Sequence, residues 1–124
     1  MDKILKVSCI GLGHRGFCYL ERMQKEPNHY ELVSLCDLNQ KRLSLAKDTF
    51  NVKEENCFTS EDVFFKEKRG VLLVVSTQDR DHVGHAIKGL KLGYDILLEK
   101  PISGDKEEII SLIEAQKKYN HKIF

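Results

Sequence analysis

The sequence of 124 residues predicts an α/β domain in which helices cover both faces of a parallel sheet, a three-layer arrangement. Short apolar runs alternate with amphipathic stretches along the whole chain, the order expected of parallel strands joined by right-handed helical crossovers. The run at residues 71–75 is apolar throughout, as in a strand that is buried on both faces. The length is sufficient for one hydrophobic core, so we expect one domain.

Strands and helices are predicted to alternate from the first strand to the last helix. The predicted strands span residues 4–10, 30–36, 57–58, 71–75 and 96–98. The predicted helices span residues 15–26, 39–50, 59–65 and 82–92, and a last helix begins near residue 105. The long helices each present apolar residues at helical spacing. These residues are Phe17, Leu20 and Met23; Leu43, Ala46 and Phe50; Val83, Ala86, Ile87 and Leu90; and Ile109, Leu112 and Ile113.

Polar residues and a glycine mark several helix ends. Thr59 with Asp62 resembles a capping box that opens the short third helix, and Asp105 with Glu108 is expected to cap the last one. Gly93 follows the fourth helix, where glycine commonly ends a helix.

The charge balance and hydropathy argue against two classes of partner. Lys and Arg number 20 against 19 Asp and Glu, so the chain lacks the basic excess typical of nucleic-acid binding. The longest apolar run, at residues 71–75, is far too short to span a bilayer. The N-terminus does not have the pattern of a signal peptide, so we expect a cytoplasmic protein.

The cysteines Cys9, Cys18, Cys36 and Cys57 have neither C-x-x-C spacing nor a matching histidine pair, so no metal site is expected. Cys9 and Cys36 lie in the first two predicted strands, where a thiol packs as a small apolar group. We expect reduced thiols, as in a cytosolic protein. A redox pair is the alternative, but no neighbouring group is expected to lower a thiol pKa.

Residues 11–16, Gly-Leu-Gly-His-Arg-Gly, follow the first predicted strand and open the first helix. They fit the pattern G-x-G-x-x-G of a Rossmann dinucleotide-binding fold. Gly11 permits the tight turn, Gly13 lets a pyrophosphate approach the backbone, and Gly16 lets the helix pack close to the strand. The pyrophosphate is expected on the free N–H groups of the helix N-terminus. A glycine turn that binds no phosphate is the alternative.

Asp37 ends the second predicted strand, 21 residues after Gly16. A carboxylate at this position accepts hydrogen bonds from the adenosine ribose hydroxyls and repels a 2′-phosphate. We therefore expect binding of NAD(H) in preference to NADP(H), a preference that the neighbouring Lys41 and Arg42 reduce. The alternative role for Asp37 is that of a helix N-cap.

The sequence Glu99-Lys100-Pro101 comes directly after the fifth predicted strand. Strand C-termini line the ligand crevice of such a sheet, so a charged pair at that rim is positioned for chemistry. A solvated turn that proline ends is the alternative.

These motifs occur together with a segment at residues 76–82, with Arg15 before Gly16, and with Gly93 before the fifth strand. In this order and spacing the whole chain resembles the glucose–fructose oxidoreductase / inositol dehydrogenase / MocA family. The family has a Thr-Pro-Asn-x-x-His segment after the fourth strand, which corresponds here to residues 77–82. Two departures are Gln78 in place of the proline and Tyr94-Asp95 in place of a common Lys-His pair.

The resemblance implies an NAD(H)-dependent oxidoreductase that transfers a hydride to or from a sugar, a polyol or a related hydroxyl compound. It implies that Thr77 lines the nicotinamide end and that Glu99 lies near the nicotinamide ribose. Lys100 would transfer the substrate's hydroxyl proton, which makes it the predicted catalytic residue, and the Lys100–Pro101 bond would be cis. The predicted cofactor-binding residues are Gly11, Gly13, His14, Arg15, Gly16, Asp37, Ser76, Thr77, Glu99 and Lys100.

Members of the family add a second α/β domain that holds the substrate pocket, usually with a catalytic histidine, and they pair through it. We therefore expect this chain to be a fragment of a longer two-domain oxidoreductase that forms a homo-oligomer. Residues 122–124 resemble the start of another strand directly after a helix, which favours the same interpretation.

The histidines of this chain are not expected to replace the catalytic histidine of the second domain. His14 lies in the glycine loop and His82 begins a helix, whereas His29, His85 and His121 are predicted at the surface.

A non-enzymatic NAD(H)-sensing regulatory module is the rival interpretation, because such modules share the length, the glycine motif and the acid. They have no need of Glu-Lys-Pro at the nicotinamide end. Lys100 therefore discriminates between the two.

Overall fold

The computed structural model of the chain describes residues 4–77, 81–99 and 105–124. In these ranges the strands are β1 (Leu5–Ile10), β2 (Tyr30–Cys36), β3 (Cys57–Phe58), β4 (Leu72–Val75) and β5 (Asp95–Leu98). The helices are α1 (His14–Gln24), α2 (Gln40–Phe50), α3 (Glu61–Phe64), α4 (His82–Leu92) and α5 (Lys106–Tyr119), and a 3₁₀ turn at Glu54–Asn56 precedes β3.

The strands are parallel and lie in the order β3-β2-β1-β4-β5. This is the doubly wound Rossmann sheet that the sequence predicts. The chain moves outward from β1 through β2 to β3 and then returns to the other side of β1 with β4. The crevice between the carboxyl ends of β1 and β4 is the topological switch point, where such sheets bind their ligands.

Two hydrophobic clusters lie on opposite faces of the sheet, one including residues of α1 and α2 and the other residues of α4 and α5. Consecutive residues of β4 pack in different clusters. Leu73 packs in the cluster with α4 and α5, Val74 packs in the cluster with α1 and α2, and both residues are fully buried. The predicted burial of this strand on both faces is confirmed. The strand begins at Leu72, one residue later than predicted, and Val71 before it is 42% exposed.

The caps agree with the sequence in two of three cases. Gly93 ends α4 with φ 100°, and the Asp105 carboxylate accepts a hydrogen bond from the Glu107 N–H, 2.9 Å away. The predicted cap at Thr59 is wrong. Ser60 is the N-cap of α3, and its hydroxyl accepts from the Val63 N–H at 3.4 Å. Ser60 has the extended backbone that an N-cap requires (ψ 121°).

The predicted apolar face of the last helix is only partly correct. Leu112 and Ala115 are the buried residues of α5, at 4% and 8% exposure, whereas Ile109 and Ile113 are 37% and 46% exposed. The helix packs against α4 along one narrow stripe, so residues beside that stripe stay in contact with solvent.

Both strand cysteines are buried, as predicted. Cys9 lies in the cluster with α1 and α2 and Cys36 in the cluster with α4 and α5, so the two thiols are on opposite faces of the sheet. Burial raises the pKa of Cys36 to about 12 and raises the pKa of Cys9 as well. All four cysteines are free thiols.

The last residues extend the sheet beside β5, as the sequence indicates. The Ile96 N–H donates to the Lys122 carbonyl and the Phe124 N–H donates to the Ile96 carbonyl, each at 2.8 Å. Ile123 thereby forms a parallel bridge with Ile96. Separately, no helix in the described ranges has the length and apolar character needed to cross a membrane.

Candidate functional site

A cleft of about 550 Å³ opens at the carboxyl ends of β1, β2 and β4. Its walls are the glycine loop after β1, the residues that follow β2, and Ser76 and Thr77 after β4. The Ser76 N–H donates to the Ile10 carbonyl at 2.9 Å, which extends the β1–β4 ladder to the edge of the cleft. The cleft therefore lies at the switch point of the sheet.

Close backbone contacts explain two of the three glycines of the loop. Gly11 has φ 93°, and a Cβ there would lie 2.5 Å from the Ser76 carbonyl carbon and 2.7 Å from the Thr77 nitrogen. A Cβ on Gly16 would lie 2.2 Å from the Gly11 carbonyl oxygen. The missing side chains let the loop contact both the end of β4 and the first turn of α1.

Gly13 is different, because a Cβ there would have only the Arg42 guanidinium within 4 Å, with Nη1 at 3.9 Å. Gly13 is the N-cap of α1 and offers no side chain to its N–H groups, and no acidic residue lies in the first turn. The first N–H groups of a helix lack partners within the helix and attract anions. This helix end fits a phosphate group at the cleft.

The Asp37 carboxylate lines the cleft beside the glycine loop and is held there by backbone N–H groups. Leu12 N–H donates to its Oδ2 and Asn39 N–H donates to its Oδ1, both at 2.7 Å. Each carboxylate oxygen can accept a second hydrogen bond, so the group can still bind hydroxyls from the cleft. The alternative role of Asp37 as the N-cap of α2 is wrong, because the side chain of Asn39 accepts from the Lys41 and Arg42 N–H groups.

A hydrogen-bonded chain, which we call the Thr77 relay, runs from the cleft to α3. Thr77 Oγ1 is 2.9 Å from His85 Nδ1, and His85 Nε2 is 2.7 Å from Glu61 Oε2. Lys88 Nζ approaches the other oxygen of Glu61 at 3.3 Å. The hydrogen bond to His85, with that from Lys88, lowers the pKa of Glu61. The Phe65 ring stacks on the imidazole at 6.0 Å between ring centroids.

The predicted surface position of His85 is wrong, since the residue is only 6% exposed. It lies on the inner face of α4, at positions 82, 85, 86, 89 and 90, which are all buried. A signal was present in the sequence, because position 85 follows the same helical spacing as the apolar residues of that face. His82 is also buried, at 1% exposure.

A second pair joins α1 to the end of β5. The Tyr19 hydroxyl donates to the Glu99 carboxylate, which raises the pKa of Tyr19. The Glu99 N–H donates to the Val75 carbonyl at 3.0 Å, so the β4–β5 ladder fixes the backbone of Glu99 at the same edge of the sheet. Sequence reasoning identified Glu99 but not Tyr19, which is 80 residues away in the chain.

The remaining predicted residues fall into two groups. His14 and Arg15 begin α1, and the His14 Nε2 lies 3.8 Å from the Cys18 sulfur at the surface. Lys100, with the predicted cis bond to Pro101, lies outside the described residues, as does Gln78.

The other two predicted surface histidines stay outside the cleft. His29 is exposed, and His121 is half-buried, with its Nδ1 3.4 Å from Asp95 Oδ1. Across the described part of the chain, no three His, Cys, Asp or Glu side chains come together to hold a metal ion.

Comparison with known proteins gives one family match. The model of GFO_IDH_MocA, an oxidoreductase family with an NAD-binding Rossmann fold, matches residues 5–124. Inositol 2-dehydrogenase of an Arthrobacter strain is 24% identical over 122 residues, which cover 98% of this chain and 36% of that protein. The chain spans between 28% and 36% of the length of its curated relatives.

Solved structures share the fold. The WlbA dehydrogenase of Chromobacterium violaceum, determined with NADH and UDP-GlcNAcA, superposes with a TM-score of 0.91 at 18% identity over all of this chain and 35% of its own. Scyllo-inositol dehydrogenase of Lactobacillus casei, determined with NAD(H) and scyllo-inositol, gives 0.88 at 22% identity over 98% of this chain and 36% of its own.

Proposed function

This chain belongs to the GFO_IDH_MocA oxidoreductase family and corresponds to its NAD-binding Rossmann fold; from that premise we propose that it is the cofactor domain of an NAD(H)-dependent oxidoreductase. The substrate class is a sugar, a polyol or a related hydroxyl compound, and the reaction is hydride transfer. The observation that supports the proposal most directly is the cleft between the Gly13 helix end and the Asp37 carboxylate.

The residues of the cleft fit a dinucleotide. Gly13 leaves space at the helix N-terminus for the pyrophosphate, and Asp37 has acceptor capacity for ribose hydroxyls. Ser76 and Thr77 line the cleft at the end of β4, and together with Glu99 at the end of β5 they would bind the nicotinamide half. When bound, the nicotinamide ring supplies the hydride acceptor or donor, and the protein supplies orientation and electrostatics.

We assign the proton transfer to Lys100, which directly follows Glu99 in the sequence. An uncharged lysine amine can take the proton of a substrate hydroxyl as the hydride leaves. Glu99, held by Tyr19, would then position the nicotinamide ribose.

The substrate pocket is assigned to a second domain of a longer protein, through which the subunits pair. The coverage of the relatives supports this proposal, since residues matching this chain make up about a third of their length. The 124-residue chain alone is then expected to turn over no polyol or sugar, because a substrate carbon held close to the nicotinamide contributes about 7–11 kcal/mol in favourable cases. NADH formation by this chain with NAD+ and a panel of cyclitols would contradict the two-domain proposal.

Titration of the chain with NADH, followed by nicotinamide fluorescence, tests the cofactor assignment. Asp37→Ala should weaken binding by about tenfold, which corresponds to the loss of hydrogen bonds to a charged group. Asp48→Ala is the matched control, because the Asp48 side chain is 79% exposed on the distal part of α2. Equal affinities of wild type and Asp37→Ala would contradict the assignment.

A further inference from the structure

We propose that His85 and Glu61 are positioning residues that fix the Thr77 hydroxyl as a hydrogen-bond acceptor toward the cleft, where it binds an N–H or O–H donor on the nicotinamide half of NAD(H). The inference deepens the proposed function and depends on it. Neither His85 nor Glu61 was expected at the site, and both line the cleft in the structure.

The direction of the Thr77 relay follows from what each group can do. An ionised carboxylate only accepts hydrogen bonds, so at Glu61 the hydrogen must come from His85 Nε2, 2.7 Å away. In a neutral imidazole the other nitrogen then has no hydrogen and is an acceptor. In the neutral form of His85, Thr77 therefore donates its hydroxyl hydrogen to Nδ1, over 2.9 Å.

With its hydrogen committed to His85, Thr77 Oγ1 has only lone pairs left for the cleft that the residue lines. Such an oxygen suits an amide N–H₂ or a ribose O–H, and it is unsuited to a phosphate oxygen, which has no hydrogen to donate. The nicotinamide half carries both kinds of donor. ADP lacks this half of the molecule.

The surroundings favour a single orientation of the ring. The His85 side chain is 8% exposed and is stacked on Phe65, so the ring cannot turn toward bulk water without losing both hydrogen bonds. The charged groups nearest to it are Glu61 of α3 and Lys88 of α4, which bind each other at 3.3 Å. Asp37, Arg42 and Asp81 line the same cleft.

Protonation of His85 reverses the polarity of the relay. An imidazolium donates from both nitrogens, so Thr77 Oγ1 would accept from Nδ1 and its own hydrogen would point away. The contribution of Thr77 to cofactor binding should therefore disappear in the form of the protein in which His85 is protonated. A purely structural hydrogen bond between Thr77 and His85 would leave that contribution independent of pH.

The experiment is a comparison of NADH dissociation constants for wild type and Thr77→Val from pH 5.5 to pH 8.5. We expect Thr77→Val to weaken binding about fivefold at the alkaline end, as for one hydrogen bond, and to have no effect at the acid end. Effects of pH on all other groups cancel in this ratio because those groups are present in both proteins.

The same ratio is then measured in a His85→Asn background. The Asn side-chain oxygen replaces the Nδ1 acceptor but does not titrate, so the effect of Thr77→Val should persist unchanged across the pH range. Wild type and Thr77→Val, both with His85 present, should bind ADP with the same affinity.

Two-bond ¹H–¹⁵N spectra of the unliganded wild type give a test that needs no variant. They should show His85 in the Nε2–H form at alkaline pH. The Nδ1–H form would overturn the inference, as would a Thr77→Val ratio that stays constant with pH in wild type, or an equal loss of ADP binding. Absence of NADH binding by wild type at every pH would instead overturn the proposed function, and the inference with it.

Discussion

Gly16 lies directly against the Gly11 carbonyl, and a methyl group at Gly16 would be 2.2 Å from that oxygen. The contact joins the first turn of α1 to the end of β1, so the position of the α1 N-terminus depends on a missing side chain. Gly16→Ala should therefore destabilise the fold by about 1–3 kcal/mol, the usual cost of forcing extra atoms into a packed region. Urea unfolding measures the change.

Gly84→Ala is the matched control for this substitution. Gly84 also lies in the first turns of a helix, but a Cβ there has nothing within 4 Å. Alanine should stabilise that helix by about 0.5–1 kcal/mol because it restricts the unfolded chain. An equal increase in the free energy of unfolding for both variants would contradict the prediction that the close contact at Gly16 affects stability.

Asp37 and Arg42 are expected to set the cofactor preference together. The Asp37 carboxylate should make NADH bind at least tenfold more tightly than NADPH, because it repels a 2′-phosphate. Asp37→Ser should reduce the ratio of NADH affinity to NADPH affinity. The Arg42 guanidinium lines the same cleft and would attract the 2′-phosphate of NADPH.

Compared with Asp37→Ser alone, the double variant Asp37→Ser/Arg42→Ala should bind NADPH more weakly. Its affinity for NADH should be little changed. Calorimetric titration of wild type, Asp37→Ser and the double variant with both cofactors gives the three ratios of NADH to NADPH affinity. Tighter binding of NADPH by the wild type would contradict the role of Asp37.

In the proposed two-domain protein, Lys100→Met should lower kcat by about 10²-fold or more, the range for a positioned acid–base group, with NAD(H) affinity little altered. Methionine keeps the apolar stem and removes the amine. Lys106→Met, at the exposed start of α5, is the control. Unchanged turnover in Lys100→Met would contradict the catalytic role of Lys100.

Glu61 should make the fold sensitive to acid. Its pKa is lowered in the folded state by the hydrogen bond from His85, so it stabilises the fold above the ordinary glutamate pKa. This contribution is lost as the pH falls through the lowered value.

Glu61→Gln should therefore lower the free energy of unfolding by about 1 kcal/mol at neutral pH. This value is at the lower end for a hydrogen bond to a charged group, because the Glu61 side chain is 37% exposed. The difference from wild type should shrink in strongly acidic buffer. Glu114→Gln, at an exposed position of α5, should show no such change. A stability difference that did not vary with pH would contradict the ionic character of the contact.

Thiol reactivity should separate the cysteines by burial. Cys9 and Cys36 are buried and have raised pKa values, so they should react with a thiol reagent only on unfolding. Cys18 and Cys57 are half-buried and should react in the native protein. Two thiols should react rapidly in the native protein, and the other two should react only after denaturant is added. Rapid reaction of all four thiols would contradict the burial of Cys9 and Cys36.

Local patterns were sufficient to predict where the glycine loop and Asp37 lie, after β1 and β2, and how strands and helices alternate along the chain. Each depends on neighbours within one strand–turn–helix unit, where spacing and backbone geometry determine the role of a residue. Alternating strands and helices predict a parallel sheet with right-handed crossovers.

The Thr77 relay could not be predicted in the same way. Glu61 comes from a helix of four residues, and it reaches His85 only because α3 packs beside α4. The Tyr19–Glu99 pair is also a tertiary contact between distant parts of the chain. At α3, Thr59 and Ser60 are both suitable caps by residue type, and the difference of one position is decided by backbone conformation.

The central place of β1 has a consequence for how the chain reaches its fold. Val7 pairs with Leu32 on one side and with Leu72 on the other, so one edge of the first strand stays open until β4 arrives. Closure of so long an intervening segment costs entropy before any pairing compensates it, which slows folding. During synthesis, the β1–β2 unit would leave the ribosome with an apolar edge exposed, and chaperone binding should be strongest in nascent chains that end before β4.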